Sequence, residues 1–217
     1  MFEIKCPVYP IIDDSFLPVD PQARDTLLSE LARGFGALGV TILQYRNKQG
    51  TDPQLLSDAR CLRAAAPPTL KLILNDRADL VRQAGFEGVH VGQQDTSVHA
   101  ARVLLGPDAI IGVSTHNPNQ LRVADASAAD YLAIGPIFAT ATKENPDPVV
   151  GLDGLRRARA LTQKPLVAIG GMTLANAHAV RSAGADALAV ISALFHSRGP
   201  ADNSPLKIAE DFLAVFR

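Results

Sequence analysis

Short apolar runs rich in β-branched residues alternate eight times with longer stretches whose apolar residues recur at helical spacing. This alternation constrains the fold more than any other feature of the chain. The runs at 8–12, 40–43, 70–74, 88–91, 109–113, 131–134, 166–169 and 187–191 are strand candidates. Helical patterning occupies 21–33, 53–66, 78–84, 97–105, 119–127, 151–161, 174–183 and a last stretch from after Ser192 to Arg217. Runs such as Leu72-Ile73-Leu74 and Leu166-Val167-Ala168-Ile169 lack polar alternation, so their strands are expected to be covered on both faces. Eight such strands, each followed by a helix, predict an α/β fold of the closed (β/α)8 TIM barrel kind rather than an open sheet.

The chain has 217 residues, which suits one barrel of roughly 200–250 residues. The proline-containing stretches 66–68 and 145–148 are too short to separate domains, so a single domain is expected over residues 1–217. Asp20-Pro21 and Asp52-Pro53 each place a capping side chain before a proline at the first helical position, where its missing N–H costs nothing. Gly34, Gly85 and Gly184 mark expected helix ends. The longest loop, 138–150, exceeds the usual ~2–6 residues of a βα connection, and such excess is often functional.

Twenty-one Lys plus Arg stand against 22 Asp plus Glu, a net charge of -1. That balance provides no broad positive field for a polyphosphate backbone, so nucleic acid is not an expected partner. No apolar run reaches the ~18–20 residues of a membrane span, and the first residues lack an apolar signal core. The cytoplasm is the expected compartment. Cys6 and Cys61 match neither a CxxC nor a metal-finger spacing and read as two reduced thiols.

In a parallel barrel the chemistry sits at the carboxyl ends of the strands. The residues there are Gln44-Tyr45-Arg46-Asn47-Lys48, Asn75-Asp76-Arg77, Gly92-Gln93-Gln94-Asp95, Ser114-Thr115-His116, Thr140-Ala141-Thr142-Lys143, Gly170-Gly171 and Ser192. Asp76 and Asp95 follow successive strands, which neighbour one another at ~4.8 Å, so their carboxylates can share a hard cation. Mg2+ suits them: it takes one or two protein carboxylates and fills its octahedron with water and phosphate oxygens, and no His/Cys cluster calls for zinc. Spacing alone leaves a second reading open, in which Asp76 caps a helix beginning near Arg77 and Asp95 one beginning near Ser97. Arg46, Lys48 and Lys143 beside the carboxylates favour a diphosphate ligand. Gly170-Gly171 and Ser192 fit a separate phosphate site built from backbone N–H groups and a helix start. Two phosphate sites on one rim imply two phosphorylated small-molecule substrates. His90 interrupts the fourth strand and reads as a hydrogen-bonded structural histidine.

These segments resemble the thiamine phosphate synthase family from about Pro7 to Leu194: QYRNK at 44–48, NDRADL at 75–80, GVHVGQQD at 88–95, IGVSTH at 111–116, DYLAIGPIFATATKE at 130–144 and VAIGGM at 167–172. The resemblance implies a (β/α)8 transferase that joins hydroxymethylpyrimidine diphosphate to thiazole phosphate, releasing pyrophosphate. It implies that Asp76 and Asp95 ligate Mg2+, that Arg46, Lys48, Asn75 and Lys143 hold the diphosphate with Ser114 nearby, and that Gln44 contacts the aminopyrimidine. Thr140 and Thr142 would line the thiazole side, with the Gly171 and Ser192 backbone on its phosphate. The implied substitution is dissociative, with Lys48 and Lys143 answering the departing charge. The family's QLREK reads QYRNK here: Gln44, Arg46 and Lys48 remain, Tyr45 and Asn47 depart from it, and loss of the Glu puts only local support of that loop in doubt. Related thiazole tautomerases use a histidine in the loop of His116, which defines an alternative; a noncatalytic thiamine phosphate sensor is another. A homo-oligomer is compatible with the sequence.

Overall fold

The computed structural model describes residues 2–140, 147–195 and 204–216. Eight strands, β1 (Val8–Asp13), β2 (Ile42–Arg46), β3 (Lys71–Asn75), β4 (Gly88–Val91), β5 (Ile110–Thr115), β6 (Tyr131–Ile134), β7 (Leu166–Ile169) and β8 (Ala187–Val190), pair in parallel in chain order. β8 closes on β1 through Val8 opposite Leu188, so the sheet is a complete barrel without edges. Around it run α1 (Pro21–Ala37), α2 (Asp52–Ala65), α3 (Val81–Ala84), α4 (Val98–Leu105), α5 (Pro118–Asp125), α6 (Gly151–Arg159), α7 (Leu174–Ser182), α8 (Ser192–Phe195) and α9 (Pro205–Ala214).

Side chains alternate across each strand and make two cores. Tyr9, Ile11, Ile42, Ile73, Tyr131, Val167 and Ala187 fill one cluster inside the barrel. Val8, Ile12, Leu43, Leu72, Val89, Leu132 and Leu188, of opposite parity, pack outward under the helices. Both faces of every strand are therefore dry, which explains the apolar runs without alternation.

The end of the barrel where the strands begin is clamped by a repeated device. Glu87, Asp130 and Asp186 immediately precede β4, β6 and β8. Each carboxylate accepts the N–H of a residue in the preceding strand: Leu72 at 2.8 Å, Ile111 at 2.7 Å and Leu166 at 2.8 Å. Each also binds an arginine from the helix that precedes the first of those two strands: Arg63 on α2 at 2.9 Å, Arg102 on α4 at 2.7 Å and Arg159 on α6 at 2.8 Å. One acid thus ties two strands and a helix together, every second βα unit.

Several sequence expectations shift. β2 begins and ends later than 40–43, because Gln44 is accepted into the barrel interior and Arg46 still pairs in register with Asp13. α1 does not stop at Gly34 but continues to Ala37, with Gly39 (φ 82°) turning the chain after it. Gly34 and Gly36 serve close packing: a Cβ on either would stand 2.3 Å from Leu206 or Pro67. α2 is capped by Thr51 rather than Asp52, which lies inside the first turn. The stretch 78–84 is a 3-10 turn followed by one α-turn, and the last stretch is represented by α8 and α9. Cys6 and Cys61 are both free thiols. Among the described residues, no helix is long and apolar enough to cross a membrane.

Candidate functional site

At the carboxyl ends of β2, β3 and β4 the structure brings Lys48, Asn75, Asp76 and Asp95 together. Lys48 Nζ lies 2.5 Å from the Asp76 carboxylate. Asp76 occupies the left-handed backbone region at φ 61°, and its N–H donates to the His90 carbonyl at 2.8 Å, tying the end of β3 to β4. A non-glycine residue held there is a local backbone strain of the kind concentrated at functional sites. Burial raises the proton affinity of Asp76; Lys48 opposes that effect, and the neighbouring Asp95 carboxylate adds to it.

The helix-cap reading of these two acids fails. Ser97 caps α4 by accepting the Ala100 N–H, while Asp95 accepts the Gly92 N–H at 2.8 Å within its own loop. The turn after Asp76 has Arg77 at its cap position and no side-chain cap. Both carboxylates are left facing the rim chemistry. Asn75 is buried, and its Nδ2 finds no hydrogen-bond partner among the described residues. A buried amide donor without an acceptor costs about 1–3 kcal/mol, so its place beside Lys48 and Asp76 suits an incoming anion.

Arg46 pairs with Asp13 at the end of β1; that carboxylate also accepts from the Ser15 N–H at 3.0 Å and the Ser15 hydroxyl at 2.6 Å. Beneath the rim a hydrogen-bonded chain crosses the barrel. Gln44 Nε2 donates to the Tyr9 hydroxyl at 3.1 Å, Tyr9 meets the Tyr131 hydroxyl at 2.8 Å, Tyr131 meets His90 Nδ1 at 3.0 Å, and His90 Nε2 meets the Ser114 hydroxyl at 2.8 Å. Gln93 donates to the Ser114 carbonyl at 2.6 Å. Burial pushes the His90 pKa down to about 4, with Asp95 opposing, so the ring is neutral at physiological pH. This is the structural, hydrogen-bonded histidine that its position in β4 predicts.

His116 Nδ1 lies 2.6 Å from the Gly135 carbonyl, an acceptor only, so that nitrogen carries the proton. Its Nε2 lies 3.4 Å from Asp147, in the long loop 138–150. Gly170 and Gly171 both have positive φ, and a Cβ on Gly171 would stand 2.7 Å from the Ala139 carbonyl oxygen. Asn176 Nδ2 holds the Gly171 carbonyl at 2.9 Å, leaving the turn's shape fixed from α7. Ser192 is the first residue of α8, and Thr140 is half-buried after the 137–139 segment. Thr142 and Lys143 lie outside the described residues.

Sequence reasoning passed over Tyr9, Tyr131 and Asp13. Asp13 directly follows the run 8–12, so the strand-end rule used for the other strands would have found it. The two tyrosines carried no such signal: each stands within an apolar run, and only barrel closure brings β1 and β6 face to face.

Comparison with known proteins shows the family. The profile of the family described as thiamine monophosphate synthase matches residues 8–194. The thiamine-phosphate synthase of Koribacter versatilis is 55% identical over 214 residues, covering 98% of this chain and 97% of that protein. The thiamine-phosphate synthase of Agrobacterium fabrum is 40% identical over 193 residues, covering 86% and 85%. Among solved structures, thiamine phosphate pyrophosphorylase from Pyrococcus furiosus superposes with a TM-score of 0.79 at 27% identity, covering 96% of this chain and 95% of that one. With the closed barrel, the matching profile and the curated relatives in hand, the chain belongs to the thiamine monophosphate synthase family.

Proposed function

We propose that this enzyme is a thiamine phosphate synthase, joining 4-amino-2-methyl-5-hydroxymethylpyrimidine diphosphate to 4-methyl-5-hydroxyethylthiazole phosphate with release of pyrophosphate. The observation that supports the chemistry most directly is the cluster of Lys48, Asp76, Asp95 and the unpartnered Asn75 amide at three consecutive strand ends.

The carboxylate pair fits Mg2+. Asp76 is disfavoured as an anion by burial and by Asp95, a conflict that a divalent cation relieves. No group of three or more His, Cys, Asp or Glu side chains suited to a metal occurs among the described residues. A two-carboxylate site is what Mg2+ uses when substrate phosphates supply further ligands. Bound there, Mg2+ would neutralise the diphosphate leaving group.

The chain's own residues do the rest. Lys48, Arg46, Lys143 and the Asn75 amide would hold the diphosphate oxygens and answer the charge that develops as the C–O bond breaks. Gln44, fixed by Tyr9, would orient the aminopyrimidine, and Ser114, fixed by His90, would stand beside the breaking bond. Thr140 and Thr142 would line the thiazole, and the Gly171 turn with the Ser192 backbone would receive its phosphate. No protein nucleophile is needed, since the aminopyrimidine itself supports a cation at its exocyclic carbon; the rim's task is positioning and exclusion of water. One domain covering residues 1–217, working in the cytoplasm as a monomer or homo-oligomer, completes the reading.

The test is formation of thiamine phosphate and pyrophosphate from the two substrates, with Mg2+ and after chelation. Metal-dependent product supports the assignment. No product from folded protein and intact substrates overturns it, leaving the thiazole tautomerase assay and thiamine phosphate binding as the next measurements.

A further inference from the structure

The segment 44–48 divides by parity. Gln44, Arg46 and Lys48 face the barrel interior and rim, while Tyr45 and Asn47 between them face the helices and bond to each other, with Asn47 Nδ2 3.3 Å from the Tyr45 hydroxyl. Tyr45 donates to Asp58, a fully buried carboxylate on α2. Asp58 is also held by Arg24 from α1, at 2.9 and 2.7 Å, and by Gln54 at 2.9 Å. Arg24 reaches on to Asp14, the neighbour of the Asp13 that pairs with Arg46. On the other side, Asn47 Oδ1 accepts the Gly50 N–H at 2.6 Å and closes the turn that carries Lys48.

We propose that Tyr45 and Asn47 are positioning residues for the two cations they flank, Arg46 and Lys48, with the buried Asp58–Arg24 pair as their anchor. The inference rests on the diphosphate-binding reading above and deepens it. A fully buried carboxylate is costly unless every oxygen is paired, and such pairs add geometric definition more readily than stability. Here the pairing spans β2, α1 and α2 and ends at both flanks of Arg46. Lysine loses rotamer entropy when fixed, so a turn that already holds its backbone leaves less to be ordered when an anion binds. Tyr45 and Asn47 are also the two positions at which this chain departs from the resembling motif, and they contact one another. The departures form one unit, supplying loop support that the motif's Glu no longer provides.

The test uses the full chain and the variants Asn47→Ala, Tyr45→Phe and Asn47→Ser, the last retaining an acceptor for the Gly50 N–H. Initial rates give KM for each substrate and kcat, and calorimetry gives the affinity for inorganic pyrophosphate with Mg2+. Asn47→Ala and Tyr45→Phe are expected to raise the pyrimidine diphosphate KM and the pyrophosphate Kd by about three- to tenfold, the weight of one hydrogen bond. The thiazole phosphate KM should stay within about twofold, and Asn47→Ser should recover most of the Asn47→Ala loss. Unchanged pyrophosphate affinity in both variants overturns the proposal, and so does equal loss for both substrates with a lowered Tm. Wild-type protein that makes no product fails the functional reading instead, a result separate from any variant's.

Discussion

The Tyr9 and Tyr131 hydroxyls meet 2.8 Å apart although their strands, β1 and β6, are not neighbours in the sheet. They meet through the barrel interior, with rings in edge-to-face contact at a centroid distance of 5.9 Å. Through them Gln44 on β2 is linked to His90 on β4 and Ser114 on β5. Five strands therefore contribute to one buried polar chain beneath the rim.

Tyr131→Phe removes the middle of that chain, leaving His90 Nδ1 without a partner and the Tyr9 hydroxyl with Gln44 alone. The expected cost is about 1–3 kcal/mol in unfolding free energy, measured by denaturant titration. A variant as stable as wild type would show that the chain is structurally idle.

His90 makes stability depend on pH in a defined window. The folded ring takes a proton only below about 4, whereas an unperturbed histidine does so near 6.5. Between these values the unfolded chain binds the extra proton, so stability falls as pH falls from 6.5 toward 4. In metal-free protein, His90→Gln is expected to flatten this part of the profile. Parallel wild-type and variant curves would mean that His90 does not carry the dependence.

Asp76→Asn removes a charge from the proposed metal pair. The Mg2+ concentration for half-maximal rate is expected to rise by about tenfold or more, a loss that even an outer-sphere partner can produce. An unaltered Mg2+ titration would take Asp76 out of that role.

Asp186→Ala acts at the opposite end of the barrel, where Asp186 accepts the Leu166 N–H and binds Arg159. It is expected to cost about 1–3 kcal/mol of stability while leaving kcat and KM unchanged, because it orphans a buried N–H far from the rim. Altered kinetics in a folded variant would show coupling between the two ends.

The closed barrel was legible in the sequence because burial on both strand faces leaves uninterrupted apolar runs, and eight of them alternate with helical patterning. Asp76 and Asp95 were legible as well, since a polar residue following such a run sits at the catalytic end of a parallel barrel. Their competing reading as helix caps was not resolvable there: the same side chain at the same spacing serves either purpose, and only the folded chain shows Ser97 as the α4 cap. Tyr9 and Tyr131 are 122 residues apart and share no local pattern. Asp58 likewise stands mid-helix, where a carboxylate reads as solvated until Arg24 and Tyr45 are found around it. Periodicity and strand-end chemistry are local properties that the chain carries in itself. Which hydroxyl meets which imidazole, and which acid is buried against which arginine, depends on distances that exist only after the barrel closes.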